Sequence, residues 1–249
     1  MTALSRTPPA SPARRRPAWI PALAAWVTVA ACMTAGHWQY RRMQETEALQ
    51  AQFQAAAAAA PVAFPGDVDD WRPWRFRAVL LDGEFDARHQ ILVDNKVHDG
   101  RVGFEAVAPL RLADGRTVLI ERGFVAGGTT RAVLPRPVLP DGVVSLRGRI
   151  DVPPPAWWGS SSEARPSGPL WQHLDPAAFT RATGVAVLPI VVRALEAPRS
   201  GDLVVDDRLP DAGIEKHLSY MVQWYAFAAM AAGLWLWFDV RPRLARIAR

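Results

Sequence analysis

His217 has the most distinctive neighbours of any side chain in this sequence. It directly precedes an apolar run, and on a single helix His217, Tyr220, Met221, Trp224 and Ala228 fall at i, i+3, i+4, i+7 and i+11, which is one face. An imidazole beside aromatic and thioether side chains suits a flat, apolar, iron-bearing ligand such as haem, with a ring nitrogen on the iron and the side chains covering the macrocycle. His37 closes another apolar run and offers a second imidazole. The same residue types also anchor membrane spans at the headgroup level with no ligand. Taken alone they favour that plainer reading, more strongly for His37 than for His217.

Other reactive combinations are weaker. Asp94, His98 and Asp99 gather around a turn and could ligate a metal, although turn polarity is the ordinary use of such residues. Ser160, Ser161 and Ser162 precede His173, a proximity that does not make a hydrolase. Gly127-Gly128-Thr129-Thr130 is too short for a phosphate loop, and the sequence has no GxxxxGK[ST], GxGxxG, HExxH, CxxC or GxSxG motif. Enzymatic activity is not expected.

The elements that would position His217 are two long runs. Ala18–Trp38 and Leu218–Phe238 each hold 21 residues with no formal charge. About 20 apolar residues at 1.5 Å rise cross a hydrocarbon layer of about 30 Å. Trp19, Trp38, Trp235 and Trp237 lie near the run ends, where amphipathic rings prefer the headgroups. Two buried core helices are the alternative. A second alternative for the first run is a cleaved lipoprotein signal ending at Cys32, but the run continues past that cysteine to Trp38.

Charge gives the orientation. Of 29 basic residues in 249, eight arginines lie in the tails: Arg6, Arg14, Arg15 and Arg16 before the first run, Arg241, Arg243, Arg246 and Arg249 after the second. Residues 17–238 carry 21 basic against 23 acidic side chains, so the overall +5 belongs to the tails and no nucleic-acid face is implied. Arginine is retained on the cytoplasmic side of a membrane. The expected layout is a cytoplasmic tail (1–17), a first span (18–38), a periplasmic domain (39–216), a second span (217–238) and a cytoplasmic tail (239–249), in the inner membrane. Half of the chain is hydrophobic and it holds one cysteine, which excludes a disordered polar chain and an intramolecular disulfide framework.

Between the spans, residues 41–60 favour helix up to Pro61. Then Trp74–Phe85, Gln90–Val97, Val102–Leu110, Thr117–Val125, Val143–Ile150 and Val185–Leu195, with a short piece at Leu203–Val205, are rich in β-branched and aromatic residues. Asp99-Gly100, Asp114-Gly115 and Asp141-Gly142 mark turns, and Asp82-Gly83 a turn or bulge. A proline-rich interval from Val152 through Trp157-Trp158 to Ser162 reads as a loop, and Asp175–Thr183 as a short helix capped by Asp175. The expected fold is two transmembrane helices flanking an antiparallel β-barrel or sandwich.

Five segments in this order carry a family resemblance. Gly36-His37-Trp38-Gln39-Tyr40-Arg41-Arg42 resembles a G-x-W-Q-x-x-R signature, and Leu81-Asp82-Gly83-Glu84-Phe85 a G-x-F/Y strand. Gly103-Phe104-Glu105 with Pro109-Leu110 resembles G-Y/F-x…P-L, and Val118–Val125, with Glu121-Arg122-Gly123-Phe124, resembles L-V-N-R-G-W-V. His217–Ala228 resembles H-x-x-Y-x-x-Q/T-W-Y/F. The chain is thereby identified as similar to the surfeit locus protein 1 family. Thr46 stands where the family has a lysine, and Glu121 and Phe124 where it has asparagine and tryptophan. The resemblance implies an assembly factor for haem-copper terminal oxidases that handles haem A and helps insert it into cytochrome c oxidase subunit I. It implies His217 as iron ligand; in that arrangement Tyr220 and Trp224 line the ring, Trp38 and Arg42 position the outer domain on the membrane, and Arg42 is also available to a propionate. Subunit I, haem A synthase and the lipid bilayer are the implied partners. A cofactor-free scaffold for an early oxidase subunit complex is the alternative.

Overall fold

A computed structural model describes residues 19–128, 133–153, 168–196, 203–207 and 213–248. The serines at 160–162, Trp157-Trp158, Thr129-Thr130 and the amino-terminal basic tail lie outside the described residues. The chain divides into two compact units, Met1–Leu49 with Asp211–Arg249, and Gln50–Pro210.

The first unit holds α1 (Trp19–Ala58) as far as Leu49 and α2 (Ile214–Trp235), which run antiparallel, with Trp26 facing Trp235 at 6.1 Å and Gly36 facing Tyr225. α1 is helical well beyond its apolar half, as its alanine-rich end implies. α2 leads through one π turn (Leu236–Val240) into α3 (Arg241–Ile247). Only 11% and 6% of the two apolar windows are buried within the chain, so these are not helices of a soluble core, and their outward side chains suit lipid.

The second unit is a small barrel. Its strands are β1 (Val62–Ala63), β2 (Ala78–Phe85), β3 (Ile91–His98), β4 (Arg101–Leu112), β5 (Thr117–Ala126), β6 (Val143–Asp151), β7 (Leu170–Trp171) and β8 (Val191–Ala194), with helix α4 (Pro176–Thr183) between the last two. Pairing runs β2–β6–β8–β5–β4, and β4 returns to β2, closing a five-stranded cycle; β1, β3 and β7 extend it. Closure depends on β4 having two partners on one edge. Its first half pairs with β3 as far as Val107 and its end pairs with β2 from Leu110. Pro109 sits in the gap between them. Its carbonyl accepts from Asp86 on that same edge, so the N–H that proline lacks belongs to a position with no ladder bond to lose.

Gly83 makes the return possible. It lies between Val144 of β6 and Leu112 of β4, and a Cβ there would stand 2.5 Å from the Arg111 carbonyl oxygen. The expected turn or bulge at Asp82-Gly83 is therefore corrected: both residues lie inside β2 in unbroken register with β6, and the glycine serves close backbone approach. Alternate residues Val79, Leu81 and Phe85 point inward and join Leu110, Val118, Ile120, Leu146 and Val192 in the barrel core. β5 is buried on both faces, because Leu119 packs outward against Phe179 of α4.

The expected wholly antiparallel arrangement is also corrected. β1–β2, β3–β7 and β5–β8 are parallel. The chain reaches β8 through α4, and β8 enters between β5, to which it runs parallel, and β6, to which it runs antiparallel. Asp99-Gly100 does form the expected hairpin turn, with both φ positive (46° and 75°), the type I′ geometry. Asp175 caps α4 by accepting from the Ala177 amide at 2.8 Å, and Gly184 ends it at φ 77°. Val185–Leu195 forms a ladder only over Val191–Ala194, because Pro189 cannot donate. β2 begins at Ala78 rather than Trp74, since a 3-10 turn at Arg72–Trp74 and a positive φ at Phe76 precede it. Leu203–Val205 contributes one bridge, Val204 to Phe124.

Gly83→Val is expected to destabilise the barrel by about 1–3 kcal/mol through overpacking against backbone that cannot retreat. A lower unfolding midpoint of the barrel strands in circular dichroism, with the helical signal retained, is the check.

Candidate functional site

Between Ala22 and Thr46 the covered positions of α1 are Ala22, Ala25, Val29, Cys32, Gly36, Gln39, Met43 and Thr46, spaced at three and four residues, with Ala35 beside Gly36. Those of α2 keep the same spacing at Ile214, His217, Met221, Trp224, Ala228, Ala231 and Trp235, with Tyr225 and Ala232 covered beside them. This is the pattern of helices that pack along a narrow seam at a shallow angle. Small residues dominate its α1 side, and at Gly36 a Cβ would lie 2.7 Å from the Tyr225 ring. For helices in lipid, which supplies no hydrophobic drive to associate, backbone closeness of this kind is the means of holding a pair together.

His217 belongs to that seam. It is half-buried, its Nδ1 lies 2.7 Å from Gln39 Oε1, and among the described residues its Nε2 has no hydrogen-bond partner. Trp224 and Met221 follow it on the same face, and Trp224 stands edge-on to Phe227 at 6.0 Å. Tyr220 is off the seam and 53% exposed, and Trp38 is 60% exposed. Arg42 pairs with Glu45 at 3.1 Å, an exposed contact of little stability. His37 is exposed beside Tyr40. The structure thus groups His217, Met221 and Trp224 and leaves Tyr220, Trp38 and Arg42 outside the seam. Gln39 is the partner that residue types did not single out; its only sequence signal is its place in the G-x-W-Q segment.

The barrel carries two charged centres of its own. At the β4–β5 register shift Arg122 is the extra residue, since Glu121 pairs with Val107 and Gly123 with Ala106. Its fully buried guanidinium donates to Gln90 Oε1 and the Val138 carbonyl, both at 2.7 Å, and lies 5.5 Å from the Phe85 ring. Burial pulls its pKa down to about 10, so it stays charged at neutral pH. Gly123 follows at φ 137°, a conformation that side chains resist, with the Val204 carbonyl close by. On the other strand Glu105 has its pKa pushed up to about 7, first by burial and then by the Glu121 carboxylate. Glu121 is itself bound by Arg193 at 3.0 Å. Burial would lower the Arg193 pKa, but Glu121 outweighs it and the net shift is upward. Asp94 accepts from the Asn95 amide, while His98 lies between Asp99 at 3.3 Å and Asp206 at 3.4 Å.

A pair of long apolar helices, one of them carrying a half-buried imidazole, in one chain with a small mixed barrel, suggests a membrane-associated protein. Comparison with known proteins gives the family. This chain belongs to the SURF1 family, whose model matches residues 26–229, from the first apolar helix through the barrel to the second. It is 27% identical over 218 residues to a SURF1-like protein of Monosiga brevicollis, covering 81% of this chain and 80% of that one. An uncharacterised SURF1-like protein of Mycobacterium tuberculosis is 25% identical over 237 residues, covering 92% and 87%. The cytochrome oxidase assembly protein SHY1 of Saccharomyces cerevisiae is 29% identical over 168 residues, 64% of this chain and 42% of that protein.

Gly36→Leu is expected to separate α2 from α1 around Tyr225 and lower the thermal midpoint of the detergent-purified protein. Gly36→Ala should do so less, and the two midpoints measure the effect. Between about pH 4.5 and 7 the folded state holds a proton on Glu105 that the unfolded chain has released, so this group's contribution falls as pH rises through that window. Glu105→Gln is expected to remove that slope and to exceed the parent in stability above pH 7, as read from unfolding midpoints across pH.

Proposed function

We propose that this chain is an inner-membrane assembly factor for a haem-copper terminal oxidase, and that it handles haem A on the way to cytochrome c oxidase subunit I. Membership of the SURF1 family and likeness to a cytochrome oxidase assembly protein support the oxidase assignment. The observation that carries the haem reading is His217: a half-buried imidazole on an apolar seam, one nitrogen engaged and the other without a partner among the described residues. It is the kind of donor a haem iron accepts.

In this reading the haem is cargo. His217 holds the iron from one side, Trp224 and Met221 cover one edge of the ring, and Tyr220 and Trp38 offer aromatic surface beyond the seam. Arg42 exchanges its exposed Glu45 contact for a propionate, which costs little because both groups are already solvated. A single-sided ligand suits delivery, since the subunit's own histidines can displace it. Haem A synthase upstream and subunit I downstream are the partners. Residues 1–17 and 239–249 lie in the cytoplasm, residues 18–38 and 217–238 span the inner membrane, and residues 39–216 face the periplasm, because the arginines gather in the tails.

One observation favours a cofactor-free scaffold instead: Tyr220 and Trp38 are more than half exposed and so do not form an enclosed pocket. A spectrum separates the two. Purified in detergent from cells that make haem A, the parent chain is expected to show a Soret band that His217→Ala loses while its helical content is unchanged. Equal haem occupancy in the two proteins rejects the ligand role, and co-purification with subunit I without pigment supports the scaffold.

A further inference from the structure

We propose that Gln39 is a positioning residue for His217: it holds the imidazole as the tautomer with the proton on Nδ1, and so makes Nε2 the nitrogen that takes an iron. The use of that nitrogen rests on the haem reading above; the tautomer does not.

The amide oxygen of Gln39 lies 2.7 Å from Nδ1. A carbonyl oxygen only accepts, so the shared proton sits on the ring. Neutral imidazole has one N–H, and placing it on Nδ1 leaves the lone pair on Nε2, the atom without a partner among the described residues. Free imidazole side chains in water favour the opposite tautomer, in which Nε2 carries the proton and cannot bind a metal. Gln39 therefore selects the competent form before any ligand arrives. It also fixes the ring's rotation, because acceptor and ring stand on different helices, 178 residues apart in sequence. Gly36 lies one turn earlier on the same covered face of α1, and its contact with Tyr225 keeps the two helices close enough for this bond. An acceptor on the far nitrogen raises the basicity of the donor nitrogen, and losing such a partner costs about 10–100-fold in affinity at metal-bound histidines.

The first test needs no haem. In the full-length apo-protein with 15N-labelled histidine, in detergent at a pH where the ring is neutral, His217 is expected to show Nδ1–H and an unprotonated Nε2. Gln39→Leu is expected to shift it toward Nε2–H, and Gln39→Glu to retain Nδ1–H. An Nε2–H signal in the parent, meaning that the amide faces the ring through its nitrogen, overturns the proposal. So does an unchanged tautomer in Gln39→Leu. The second test uses ferric haem added to the apo-protein. Gln39→Leu should bind about 10–100-fold more weakly, whereas Gln39→Glu should keep its affinity and lower the reduction potential, because a carboxylate pulls harder on the Nδ1 proton. A purely structural role for Gln39 would not move the potential. If His217→Ala binds haem as the parent does, the ligand reading fails, and the tautomer measurement alone still decides the role of Gln39.

Discussion

Two helices that turn most of their apolar side chains outward can grip each other only along what remains, and here that is a narrow strip. In a lipid setting an outward leucine is as well placed as a buried one, so association there comes from close backbone approach and from polar groups that have no better partner. Both devices are present. Gly36 lets the Tyr225 ring reach the α1 backbone, and one turn later Gln39 meets His217. Everything distinctive about the imidazole follows: it is half-buried because it is on the seam, and its ring has a defined orientation because the acceptor belongs to the other helix.

The barrel solves a different problem by comparable means. A five-stranded cycle with several short strands must change partners to close, and the changes gather at β4. Pro109 occupies the break where β4 changes neighbours, Gly83 admits the new neighbour, and the extra residue at Arg122 offsets the β4–β5 register. The buried Arg122 guanidinium then ties β5 to Gln90 and to the segment containing Val138. Leaving that charge without these acceptors would cost several kcal/mol, so the two acceptors and the bulge depend on each other. Segments that read as family signatures, such as R-G and P-L, are therefore explained by architecture as well as by any role in binding.

Glu105 and Glu121 show how a substitution within a family pattern is absorbed. A second carboxylate beside a half-buried one raises the proton affinity of Glu105, and Arg193 on β8 compensates Glu121 by a direct ion pair. The cluster knits β4, β5 and β8 on the outside of the barrel and gives the domain a titration near neutrality.

Much was legible in the sequence because it is local. Uncharged runs of 21 residues, Asp-Gly turns, the Asp175 cap and the alternation of β2 each follow from neighbours within a few positions. His217 was legible too, as a polar residue at an apolar boundary. What the sequence could not show depends on pairs distant along the chain. The parallel arrival of β8, the two partners of β4, the close approach served by Gly83 and the Gln39 carbonyl against His217 are such cases. A residue's own type limits which bonds it can make, but only the packed chain brings the second atom within reach.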